Sequence, residues 1–70
     1  MNLPLKVAVL NSGLTQRAVS LAAAIPETRF SSIVRGHVEA DADERQRVAR
    51  VLGVSENRIF LQIKAVEGAA

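Results

Sequence analysis

TQRAVSLAAAIPETRFSSIVRG, residues 15–36, is the stretch whose reading decides the fold. Thr15 is an N-cap candidate, because its hydroxyl can accept from an orphan amide in a helix's first turn. The helix it opens runs to about Ala23. Val19, Leu21, Ala22 and Ala23 give it a broad apolar surface, and the alanines let a neighbouring helix pack closely. Ile25-Pro26 then breaks the chain, since the residue before a proline is pushed out of the helical region. Pro26 suits the opening of a following helix, and Glu27 lies favourably near that helix's positive end. Gly36 stops it. The segment therefore reads as two short helices joined by a tight turn.

Successive side chains on a helix are about 100° apart. This spacing gathers Phe30, Ile33 and Val34 on one side of the second helix and Thr28, Ser31, Ser32 and Arg35 on the other. A solvated face more often carries Glu and Lys. Short hydroxyl side chains let a helix approach base edges and can both donate and accept there. Arg35 at the far end can reach a phosphate. An ordinary wet face and a groove-reading face both remain open on this pattern alone.

Working outward, Asn2 can cap a first helix, and Pro4 is tolerable in its first turn. Leu3, Val7 and Leu10 form one apolar stripe, and Asn11, Ser12 and Gly13 end the helix. Beyond Gly36, residues 37–40 form a loop. Asp41 and Glu44 have capping-box spacing at the head of a fourth helix. Val48, Val51 and Leu52 are expected on its buried side, with Arg45, Arg47 and Arg50 largely outside, and Gly53 closes it. Ser55 caps a short fifth helix that sets Ile59 and Phe60 against the core. The fold class expected is all-α, a compact bundle of about five short helices over residues 1–61. Residues 62–70 form a tail whose apolar positions fit a strand or a helix, and which suits self-association.

Composition narrows the functions. Seventy residues make one small domain, and the absence of cysteine excludes disulfides and thiolate metal sites. The apolar fraction of 49% argues for a packed core. Residues 1–38 carry Lys6, Arg17, Arg29 and Arg35 against Glu27, a net +3, while the remainder carries five cations against six anions. A weakly polarised domain of this kind fits a polyanion. Phe30 and Phe60 are its two aromatics, too few to build stacking platforms for single strands, so duplex DNA is the better match. No apolar run approaches the roughly 20 residues that span a bilayer, so no membrane partner and a cytoplasmic location are expected.

Leu14-Thr15-Gln16, the small residues through Ala24, Ile25, Phe30, Ile33 and Gly36, and then Leu52-Gly53-Val54-Ser55 resemble, in order and spacing, the lambda-repressor and Cro type of helix-turn-helix, the Xre family. The similarity covers residues 3–61. It implies that the helix from Thr15 lies across the DNA backbone and the next one enters the major groove. Gln16 then matches a phosphate-contacting glutamine, and Glu27, Thr28 and Ser32 match base-facing positions, with Ser31 on the same face. Arg35 matches a backbone-binding position, and Arg17, Arg29 and His37 are further phosphate candidates by geometry. Glu27 either accepts from a cytosine N4 or serves only the helix dipole.

The sequence also departs from that pattern. The family usually has Ala at Ser20 and Gly at Ala24; a left-handed Ala24 carries strain on the order of 1 kcal/mol. Val9 and Val34 replace an Arg–Glu pair. His37, beside Glu39, Asp41 and Asp43, is the sole histidine and reads as a solvated loop residue rather than a catalytic or metal-binding one. No cofactor, metal or small-molecule substrate is expected. The function implied is sequence-specific binding of double-stranded DNA by a small bacterial or phage-type transcriptional regulator, a repressor acting as a homodimer. The alternative is a protein-interaction module such as an antitoxin or adaptor.

Overall fold

The computed structural model describes residues 1–60, and these are all-α, with no strand among them. Five helices follow in order: α1 (Leu3–Ser12), α2 (Gln16–Ala22), α3 (Glu27–Arg35), α4 (Ala42–Leu52) and α5 (Glu56–Ile59). The expected tail at 62–70 lies outside the described residues.

Each boundary has a local cause. Asn2 Oδ1 accepts from the Leu5 amide and Thr15 Oγ1 from Ala18, satisfying donors that a helix start leaves without partners. Asp41 and Glu44 form the full reciprocal capping box on α4. Ser55 occupies the N-cap position of α5, but its side chain makes no capping hydrogen bond. Gly13, Gly36 and Gly53 take left-handed conformations where α1, α3 and α4 stop.

One core joins all five helices. Phe30, Leu5, Ile59, Val19 and Val48 are its largest fully buried apolar side chains, and Val9 and Val34 are buried in the same cluster. Two expected faces are turned differently. On α1 the stripe Leu3, Val7 and Leu10 points outward, at 58, 47 and 69% exposure, while Leu5 and Val9 go in. The helix is apolar nearly all round, so periodicity offers two stripes. Asn2 decides between them: its amide donates to Val34 O at 2.8 Å and its Nδ2 to Ile59 O at 2.7 Å. These two bonds tie the head of α1 to the ends of α3 and α5 and so fix its rotation. On α2, Val19 and Ala23 go in, whereas Leu21 and Ala22 stay exposed. Two turns of helix have only one side to bury.

The outer side of α4 also differs from expectation. Val48 and Ala49 are buried, Val51 and Leu52 partly so, and of its arginines only Arg50 is exposed. Arg45 Nε donates to Glu56 Oε1 at 3.0 Å and its NH1 to Ala40 O at 2.7 Å, binding α4 to α5 and to the loop before it. Arg47 reaches the α2–α3 turn.

Candidate functional site

The turn between α2 and α3, residues 23–26, positions the face of interest. Ala24 adopts φ 57°, the one positive φ outside glycine among the described residues. Its amide donates to Leu21 O at 3.1 Å, and the Ile25 amide to Ser20 O at 2.9 Å. That pair of bonds is the Schellman closure of a helix end. The same two bonds close α3 around Gly36 and α4 around Gly53. At α2 an alanine does what glycine does at the other two ends. Ile25, driven inward by this turn, is buried at 3% exposure.

The outside of the turn is held from α4. Arg47 NH1 donates to Ala23 O at 2.9 Å and to Ala24 O at 3.2 Å, placing a cation on carbonyls at the negative end of α2. Its Nε lies 3.2 Å from Asp43 Oδ2, a charge contact that is poorly aligned as a hydrogen bond. Nothing local in the sequence marks this clasp, because its partners are backbone carbonyls more than twenty residues away.

A second tie fixes α3 itself. Arg29 donates through Nε to Glu44 Oε2 at 2.6 Å and through NH2 to Glu44 Oε1 at 2.8 Å. Glu44 Oε1 also accepts from the Asp41 amide at 3.0 Å. The Arg29 hydrogen bonds, aided by that amide and by the charges of Arg29 and Arg47, hold this buried carboxyl down at about 2, against the opposing effect of burial. Arg29, expected at a phosphate, is instead engaged on both forks by the protein's own carboxylate. Its pairing joins α3 to α4 across fifteen residues of sequence.

The remaining expected site residues fall on one region. Glu27 and Thr28 are exposed on the first turn of α3, Ser31 and Ser32 are half-buried on the next, and Arg35 is exposed on the last. Ser32 Oγ donates to Thr28 O at 3.2 Å, which leaves its lone pairs as the groups it can offer outward. His37 is exposed just past Gly36, its amide donating to Ser32 O. Gln16 is half-buried and Arg17 exposed at the start of α2. Ser20, fully buried, donates its hydroxyl to Arg17 O at 2.7 Å, so the departure from alanine leaves no unpaired polar group.

This arrangement suits recognition rather than bond making. Among the described residues no group of three or more histidines, cysteines and carboxylates is placed to hold a metal, and no helix is long and apolar enough to cross a membrane. No known family model matches the chain, and neither a curated protein nor a solved structure is significantly similar to it.

Proposed function

We propose that this chain binds double-stranded DNA sequence-specifically, as a small transcriptional repressor of the lambda-repressor and Cro type, with α3 in the major groove. The observation that carries the reading is the outer face of α3. Thr28, Ser31 and Ser32 give it short hydroxyls that allow close approach to base edges, and Arg35 supplies a cation at its end. Support also comes from how firmly that face is held: Arg47 clasps the turn before it and Glu44 grips Arg29 on its flank. A reading helix needs such fixed placement, since base contacts discriminate only at good hydrogen-bond geometry.

Arg17 and Gln16 on α2 and His37 past α3 flank the face as phosphate contacts. A module of this size covers about 600–1,000 Å² of DNA, so two copies on a two-fold site complete the proposal. The reading involves no cofactor and no chemistry, and the cytoplasm is its setting.

Selection of bound duplexes from a random pool tests it directly. Enrichment of a defined, two-fold related sequence is expected. Arg35→Ala should then weaken binding to every sequence alike, whereas Thr28→Ala or Ser32→Ala should change which bases are preferred. Absence of duplex binding at low salt would overturn the proposal in favour of a protein-interaction module. Leu14 and Leu21 favour that second reading: at 43 and 71% exposure they offer apolar contacts on the α2 side of the molecule.

A further inference from the structure

The outward stripe of α1 borders an open groove of about 570 Å³. Leu3, Val7 and Ala8 form one wall, and Leu52, Val54 and Ile59 the other. An apolar groove beside three large exposed aliphatic side chains is costly to leave in water. We infer that this groove is the docking site of the chain's own C-terminal segment, residues 61–70, folded back onto the protomer that carries it.

Three observations select this occupant. First, the chain leaves the described region at the groove: Ile59 lines it, and Phe60 is the next residue. No spacer separates dock from ligand, so the local concentration of the segment is on the order of millimolar or above, and attachment favours the same molecule over a second copy in dilute solution. Second, LQIKAVEGAA matches the groove in character. Leu61, Ile63, Ala65 and Val66 supply apolar side chains, and Glu67, the one anion in the segment, is complementary to the exposed Arg58 that lines the groove. Third, the length suffices. Ten residues reach at most about 33 Å extended, while the ten residues of α1 cover about 15 Å. In this arrangement the tail is an internal part of the fold rather than the dimer contact its composition alone suggests. The inference is independent of DNA binding.

The absence of cysteine gives a clean test in the full chain. A spin label attached through Ala69→Cys should broaden the amide signals of Val7, Ala8 and Leu52 several-fold more than those of Thr28 and Ser31 on α3. The same broadening is expected at every protein concentration. It should vanish when labelled protein without ¹⁵N is mixed with unlabelled ¹⁵N protein. Broadening that appears in the mixed sample and grows with concentration would overturn the inference in favour of a second copy. Broadening no stronger at Val7 and Leu52 than at Thr28 would overturn it outright. As a second measurement, Ile63→Asp should raise the fluorescence of an anilinonaphthalene sulfonate probe several-fold by uncovering the groove. Adding Val7→Asp should cancel that rise. An Ile63→Asp variant with unchanged probe binding would also refute docking.

Discussion

Ala24 and Glu44 show opposite ways in which one residue sets the stability of this chain. Ala24 sits at φ 57°, where its Cβ crowds the following carbonyl, a strain of about 1–2 kcal/mol that glycine avoids. Glycine also enlarges the freedom of the unfolded chain, which offsets part of the gain. Ala24→Gly is therefore expected to stabilise by about 0.5–1 kcal/mol and to raise Tm by several degrees in a thermal melt; an unchanged or lower Tm would refute the strain assignment. Glu44 works through charge. Its carboxyl ordinarily titrates at 4.5 and is held at about 2 in the fold. A depressed pKa means that the stabilisation is complete above pH 4.5 and disappears as the pH falls towards 2. The difference corresponds to roughly 2–3 kcal/mol. Acid titrations followed by circular dichroism should show wild type losing that stability between pH 4.5 and 2. Glu44→Gln, which strands Arg29, should be weaker by a similar amount at pH 7 and flatter across the same interval.

At the scale of elements, the helix ends were legible in the sequence and the helix faces only partly so. Caps and stops depend on residues within one turn of each other. Asn2, Thr15, the Asp41–Glu44 box and the three glycines could therefore be placed by spacing alone. The buried side of α1 could not, because Leu3–Val7–Leu10 and Leu5–Val9 are equally apolar stripes and the choice rests on Asn2 bonding to Val34 and Ile59. Likewise the hydroxyl face of α3 followed from periodicity, while the removal of Arg29 from it required Glu44, on another helix. The clasp of Arg47 on the α2–α3 turn belongs to this same class of long-range contacts. Arg47→Met keeps the side-chain stem but removes two charge-assisted bonds, at a cost of about 1–2 kcal/mol given their partial exposure. Amide exchange at Ala24 and Ile25 should accelerate, and duplex affinity should fall. Arg50→Met, on an exposed position of the same helix, should leave exchange at the turn unchanged. Equal exchange in the two variants would show that the clasp does not hold the turn.

For the whole molecule, what matters is how its cations are distributed between folding and binding. The sequence carries nine lysines and arginines, yet Arg29, Arg45 and Arg47 are paired with Glu44, Glu56 and Asp43. Those three charges hold α3 to α4, α4 to α5, and α4 to the turn; they contribute little field for a polyanion. The exposed Lys6, Arg50 and Arg58 lie on α1, α4 and α5, away from the face proposed to meet DNA. Arg17 and Arg35 are left to neutralise phosphates. Each neutralised phosphate contributes about −0.9 to the slope of log affinity against log salt. Two contacts per copy give a slope of roughly −2 for one protomer and roughly −4 for a pair on a two-fold site. Filter or anisotropy titrations of a selected duplex across a series of salt concentrations would measure it. Arg35→Ala should make the slope shallower by about 1 per copy, as should Arg17→Ala, while Arg58→Ala should leave it alone. A wild-type slope twice as steep would mean that the arginines of α4 leave their carboxylates on binding. A slope near zero would remove phosphate contact, and with it the DNA proposal.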